Sequence, residues 1–240
     1  MTSAEGPAGL TRIAGQGRCD GIVVLDVGAR DERVLAATEL RVPVVLIGVP
    51  VDPGGLHCVD LDYRRAGQLA VEALAAGGHE HVMIIGHPAS VLERNLHFVT
   101  LFEAGAVEAA ARLGVALEII SPVEYGRAAA ERAAAQVARR RRPGRPGIVL
   151  CKPRGAQFLL DALTARDLVP GADIAVVGLC SDEAAQEMAP PLSNISVQSA
   201  EISASAMDVL FRLLEADPRK EPGAVHLVSP SLVRRRTTPG

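Results

Sequence analysis

Five short runs rich in Val and Ile constrain this chain more than any other feature. They are residues 22–27 (IVVLDV), 43–48 (PVVLIG), 82–86 (VMIIG), 147–151 (GIVLC) and 174–178 (IAVVG). A strand covered on one face alternates apolar and polar residues. A strand covered on both faces is apolar nearly throughout, which is the habit of parallel sheets. Between the runs lie Ala- and Leu-rich segments with helical spacing. In Tyr63–Ala76 the residues Ala66, Leu69, Ala70, Ala73 and Leu74 fall on one stripe, Asp62 stands at a capping position, and Gly77-Gly78 follow the last turn. Residues 98–113, 127–141, 156–166 and 201–214 read the same way. Strands alternating with such helices predict an α/β chain of βαβ units with right-handed crossovers.

The alternation breaks near the end. A turn-rich link with two prolines, residues 217–223, follows the last helix, and two short β-like runs close the chain at 225–228 and 232–235. This coda suits a chain that crosses between two lobes more than once. With 240 residues, 48% of them hydrophobic, there is material for two small cores.

Composition removes several function classes. A net charge of −3 gives no bulk attraction to nucleic acid or to an anionic membrane. With no Trp, two Tyr and four Phe, the chain has few platforms for stacking single-stranded bases. The one dense basic run, 139–145 (RRRRPGR), reads as the solvated end of a helix or, alternatively, as a nucleic-acid or partner patch. No apolar run approaches the roughly 20 residues that span a bilayer, and the first ten residues do not read as a secretory signal. The cysteines Cys19, Cys58, Cys151 and Cys180 are isolated, so neither a zinc site nor a disulfide framework is expected, and a reduced, cytoplasmic protein is the natural reading. Cys151 and Cys180 both end strands, as buried small hydrophobes or as a redox pair. His79 and His81 are the only close histidine pair; no metal site is expected from them. No Gly-x-Gly-x-x-Gly follows a strand, and neither a P-loop nor a G-x-S-x-G elbow is present. The expectation is therefore a protein without catalytic residues or cofactor.

Four segments, in order and at matching spacing, carry a resemblance. Residues 59–79 (VDLDYRRAGQLAVEALAAGGH) run into EHVMIIG; residues 173–178 read DIAVVG; residues 190–197 read PPLSNISV; residues 231–238 read SLVRRRTT. Together they resemble the LacI/GalR family of bacterial transcription regulators. The resemblance implies two Rossmann-like lobes with parallel sheets, periplasmic-binding-protein-like (type I). It also implies a small effector such as a sugar or sugar phosphate bound between the lobes, and a homodimer that reaches operator DNA through a helix-turn-helix headpiece. No such headpiece lies in this sequence, and the chain opens at a helix, residues 10–18, that leads to the second or third strand of the first lobe. The N-terminal lobe, residues 1–80 plus 198–222, is therefore expected to be incomplete, with a strand left unpaired. Residues 81–197 plus 223–240 are expected to form the C-terminal lobe. The alternative is a solute-binding protein of a transporter, which would need export.

Ligands of open α/β sheets sit beyond the carboxyl ends of the strands. That rule selects Asp26 and residues 48–50, 87–95, 151–154 and 180–182, and the resemblance selects nearly the same places. The candidate effector contacts are Asp26, Asp62, Arg94, Asn95, Lys152, Cys180 and Gln198, of which Asp62 and Gln198 come from the resemblance. Arg94, in LERN, offers a guanidinium fork for two hydroxyls or a carboxylate, or else a surface ion pair. Asp62 caps its helix, approaches the effector, or does both. Asp26 accepts from a polyol or shapes a turn. Gln198 faces the ligand or holds the hinge backbone. Lys152-Pro153 stand where the family commonly has Asn-Asp, and Cys180 where it commonly has Asp. These departures replace negative charge with positive and favour an anionic effector.

Overall fold

The computed structural model describes residues 6–17, 19–140, 145–215 and 222–238. The chain divides into two compact units. One comprises Met1–Asp62, Arg94–Val99 and Gln198–Ser229; the other comprises Tyr63–Glu93, Thr100–Val197 and Pro230–Gly240.

The first unit is built on a four-stranded, all-parallel sheet in the order β1-β2-β3-β9: β1 (Ile22–Val24), β2 (Val44–Ile47), β3 (His57–Leu61) and β9 (Val225–Val228). Alternate residues of the strands enter different cores. Val24, Val44, Leu46 and Cys58 pack with Leu10 of α1 (Gly6–Gly15) and Val34 of α2 (Glu32–Thr38). Helix α9 (Ser199–Glu215) lies on β2 and β3 and buries Ile202, Ala206, Val209, Leu210 and Leu213. Helix α1 ends three residues earlier than expected, because Gly17 turns left-handed at φ 59°; Arg18 lies outside the described residues. Strand β1 has β2 as its one strand neighbour among the described residues, so one edge of it carries unpaired backbone groups. Met207, Phe211 and Leu214 of α9 are exposed.

The second unit carries six strands in the order β10-β8-β7-β6-β4-β5. These are β4 (His81–Ile85), β5 (Ala116–Ile120), β6 (Gly147–Leu150), β7 (Ala175–Cys180), β8 (Ser193–Ser196) and β10 (Ser231–Val233). All pairs are parallel except β8 with β10, which is antiparallel. Met83, Ile85, Ile148, Leu150, Val176 and Leu192 form its core with α6 (Arg127–Arg140) and α7 (Ala156–Thr164). Helix α3 (Tyr63–Ala76) packs on β6, β7, β8 and β10. Its crossing with α5 (His97–Leu113) explains the Ala-Gly pair at 66–67. A Cβ on Gly67 would lie 2.0 Å from the Phe102 carbonyl oxygen, and a Cβ on Gly105 would lie 1.9 Å from that of Arg64. The two backbones therefore touch, and only glycine fits.

The closing motifs also acquire a physical meaning. Thr237 Oγ1 accepts from Ser193 N and donates to Val176 O, while Thr238 Oγ1 donates to Ser193 Oγ. Arg235 donates to the Leu192 carbonyl and to Asn194 Oδ1. Ser193, Asn194, Thr237 and Thr238 are all buried, so each needs these partners. His79 Nδ1, 2.7 Å from the Arg145 carbonyl, ties α3's end to the start of β6.

The partition differs from the expected lobes at three places, one of them residues 94–99, which belong to the first unit rather than to the C-terminal lobe. Residues 63–80 belong to the second unit, because the apolar stripe of α3 is buried against that unit's sheet. Residues 225–228 belong to the first, because β9 pairs with β3. The link at 217–223 and the centre of the basic run at 139–145 lie outside the described residues, apart from their ends. Of that run, Arg140 pairs with Glu118 at 2.7 Å, and Arg145 donates to the Ala172 carbonyl.

Candidate functional site

In the first unit the carboxyl ends of β1, β2 and β3 are capped by the segment Arg94–Val99. Arg94 Nη2 lies 3.1 Å from Asp26 Oδ2, Ala29 N donates to the Asn95 carbonyl at 3.0 Å, and His97 Nδ1 lies 2.9 Å from the Val49 carbonyl. Three of the residues selected from sequence, Asp26, Asn95 and Gln198, hold left-handed backbones at φ 56°, 48° and 48°. Such conformations are uncommon outside glycine and gather at functional loops. The Arg94–Asp26 pair is open to water, with side chains 43% and 68% exposed, so it contributes little to stability. Its two charges are available to a ligand.

A buried pair that sequence reasoning missed shapes this loop. Asp31 caps α2, accepting from Arg33 N at 3.0 Å, and its carboxylate is bidentate with the Arg33 guanidinium. Arg33 Nη2 also donates to the carbonyl of Asp26 at 2.8 Å, which fixes the left-handed turn. Burial alone would raise the Asp31 carboxyl. The Arg33 fork and the N–H groups of Gly28 and Arg33 outweigh it and hold that carboxyl below its usual range. Asp60, at the end of β3, behaves oppositely. Burial pushes its carboxyl up to about 6, against hydrogen bonds from Leu61 and Val49 and the nearby His97. Asp62 follows β3 directly, and its N–H donates to the Val228 carbonyl at 2.9 Å. Gln198 precedes α9, and its carbonyl accepts from Ile202 N.

In the second unit, Lys152 sits in the loop after β6. It is half-buried rather than fully solvated, and its ammonium donates to the carbonyls of Val123 and Glu124. Burial holds it below the usual lysine range, partly countered by Glu124. The loop it grips is the one after β5, which carries Tyr125. Lys152 Nζ is 5.1 Å and Arg154 Cζ 5.3 Å from the centre of the Tyr125 ring, and Arg127 Cζ lies 4.9 Å from that of Phe158. Lys152 and Arg154 line a small pocket with Glu124, Gly126 and Gly155 over the buried core side chains Ile85, Val123, Ala130, Leu150 and Leu159, and Tyr125 and Arg127 flank Gly126 in sequence. Nearby His87 is buried, and burial together with the Lys152 charge keeps it neutral more readily than a free histidine.

Arg154 lies in the strand end 151–154 selected from sequence, whereas Tyr125 and Arg127 were not among the expected residues. Strand β5 is an edge strand with little burial, so it lacks a continuous apolar run, and its following loop was passed over. The signal present was a tyrosine in an aromatic-poor chain, one residue before a glycine that opens a helix.

Cys180 ends β7, and its carbonyl accepts from Asn194 Nδ2 at 2.8 Å. Burial pushes its thiol up to about 11, as it does that of Cys58, and pushes Cys151 further still. Thiols so raised are poor nucleophiles at neutral pH. Among the described residues no three His, Cys, Asp or Glu side chains meet in a metal-binding group, and no helix is long and apolar enough to cross a membrane. Thus Asp26, Arg94 and Asn95 come together in one unit, while Lys152 and Cys180 occupy separate strand ends of the other.

Comparison with known proteins agrees with this architecture. No curated protein matches the chain. Among solved structures, a putative LacI transcriptional regulator from Bacillus cereus subsp. cytotoxis superposes with a TM-score of 0.81 at 21% identity, covering 100% of this chain and 83% of that one. A LacI family transcriptional regulator from Bifidobacterium animalis subsp. lactis gives 0.84 at 16% identity, covering 99% and 84%. A periplasmic binding protein/LacI transcriptional regulator from Alkaliphilus metalliredigens, complexed with D-xylulofuranose, gives 0.75 at 14% identity, covering 98% and 83%. The model of the periplasmic binding protein-like domain matches residues 59–238, well over half of the sequence, and the chain therefore belongs to the family of periplasmic binding protein-like domains.

Proposed function

We propose that this chain is the effector-sensing part of a LacI-type transcription regulator, binding a small molecule at the strand ends described above. The observation that carries the reading is the placement of polar groups. In each unit they gather at the carboxyl ends of parallel strands, as Asp26, Arg94 and Asn95 in one and Tyr125, Lys152 and Arg154 in the other. Asp62 and Gln198 stand in the first unit and Cys180 at a strand end of the second, and they are proposed contacts as well. Catalysis is not part of the reading: the buried thiols are raised, Asp26 pairs with Arg94, and Lys152 is held by backbone carbonyls, so these groups do not form a nucleophile and base. In the proposed arrangement the protein is a cytoplasmic homodimer, and operator DNA is contacted through a headpiece that this sequence does not contain. The solved relative with D-xylulofuranose makes sugars and sugar derivatives the first ligands to try.

The test is a melting screen followed by circular dichroism, since the chain has no Trp. Sugars, sugar phosphates, purines and organic acids are added in turn. A ligand that binds the folded state raises stability by about 2.7 kcal/mol at a hundredfold excess over its Kd. A hit whose shift is lost in Arg94→Ala or Tyr125→Ala supports the reading. A cooperative melt unmoved by every compound contradicts it.

A further inference from the structure

We infer that the rim formed by Tyr125, Arg127, Lys152 and Arg154 receives the anionic group of a small organic ligand, a carboxylate or a phosphate ester. This rests on the effector-sensing reading and narrows its ligand class.

Three cations stand at this rim. Lys152 and Arg154 share one aromatic ring at 5.1 and 5.3 Å, and Arg127 lies over Phe158. Neither Arg127 nor Arg154 has a carboxylate within ion-pair distance among the described residues, although Arg33, Arg64, Arg65, Arg94, Arg112, Arg140 and Arg235 all do. Glu124 is the one acid lining the pocket, and its Oε1 already accepts the N–H of Ala89 at 2.9 Å. Glu124 offsets part of the Lys152 charge, so three cations stand against one acid and the rim keeps a net positive charge.

The backbone adds to the same sign. Helices α6 and α7, of 14 and 9 residues, both start at this rim, and neither carries an acid in its first turn. Helix α6 begins with Arg127 itself, a cation where the helix dipole favours an anion. The cap of α7, Gly155, makes no side-chain cap bond, and a Cβ on it would lie 3.8 Å from Gly126 N, so the two loops adjoin. An anion at this point would offset the mutual repulsion of the cations, satisfy guanidinium donors and suit both helix starts. Lys152 acts chiefly as a positioning residue, because two of its donors hold the Tyr125 loop.

The experiment is calorimetric titration of the full chain with matched pairs: glucose 6-phosphate against glucose, and phenyl phosphate against benzyl alcohol, with inorganic phosphate as a third arm. The expected result is that the phosphorylated member of at least one pair binds at least tenfold tighter. That preference weakens as salt is raised and disappears in Arg127→Gln/Arg154→Gln, whose unliganded circular dichroism spectrum stays native. Equal binding within both pairs, or a preference untouched by the double variant, overturns the inference while leaving effector sensing intact. Inorganic phosphate binding as tightly as either ester means an adventitious ion only and also overturns it. Absence of binding by every probe overturns the anion class as well, and the wider melting screen then decides the sensing reading separately.

Discussion

Asp60 offers the sharpest test of the first unit's electrostatics. Its side chain is buried at 9% exposure at the end of β3, under the segment that carries His97, and its carboxyl is raised from 3.8 to about 6. A raised acid binds its proton more tightly folded than unfolded. Its contribution is therefore most favourable below the unfolded value near 3.8 and is lost as pH rises through about 6. The shift of about two pH units corresponds to roughly 3 kcal/mol at 1.36 kcal/mol per unit. The variant Asp60→Asn keeps an oxygen to accept the Leu61 N–H but has no charge to bury. Its own packing cost is independent of pH, so the quantity to read is how the stability difference between variant and parent changes with pH.

That difference is expected to move in favour of Asp60→Asn by roughly 3 kcal/mol between pH 4 and pH 7, with most of the change below pH 6, and to stay level above pH 7. In melting temperature this is roughly 6–12 °C for a chain of this size. Urea unfolding followed by circular dichroism at half-unit pH steps measures it. A difference constant from pH 4 to pH 7.5 would refute the placement of a strained, buried carboxyl at this strand end, as would a change of opposite sign.

Other consequences follow from the same structure. Gly67→Ala forces apart the touching backbones of α3 and α5 and should cost about 1–3 kcal/mol, with Gly105→Ala behaving alike; thermal melts that leave either variant at the parent's stability would contradict the crossing. Lys152→Met removes two bonds to the loop after β5, so hydrogen exchange at the Val123 amide, which donates to the His87 carbonyl, should quicken roughly tenfold, equivalent to ~1.4 kcal/mol of local stability. Arg33→Met leaves the buried Asp31 carboxylate without its fork and should destabilise by about 3 kcal/mol at pH 7. Because the Asp31 carboxyl is held low in the parent, its contribution is present above pH 3.8 and lost as pH falls through its lowered folded value; the acid limb of unfolding should be shallower in Arg33→Met.

Much of the architecture was legible because burial on both faces leaves a plain trace. The runs at 22–27, 43–48, 82–86, 147–151 and 174–178 each contain or overlap a strand of a parallel sheet. Strand β3 escaped notice: its sequence, HCVDL, carries His57 and Asp60, polar residues that are nevertheless buried. Strand β5 escaped for the opposite reason, being an edge strand with water on much of it. Missing β5 hid Tyr125 and Arg127, since the strand-end rule finds a loop only when its strand is recognised. The candidate residues Asp26, Arg94 and Asn95 lie after strands or segments with strong local signals. Their mutual contact depends on Arg94–Val99 folding back onto the first unit, a long-range event that no local pattern encodes. Likewise Lys152 was legible as a departure in charge, whereas its grip on the Val123 and Glu124 carbonyls emerges only from the packing of two loops 28 and 29 residues apart in sequence.

The central claim is that a small molecule binds saturably at these strand ends. The most direct measurement is a calorimetric titration of the strongest compound from the melting screen into the full chain, repeated with Arg94→Ala and Tyr125→Ala. The account predicts saturable binding, with affinity reduced at least tenfold in at least one of the two variants. Heats that never saturate, or saturable binding that both variants retain in full, would contradict it.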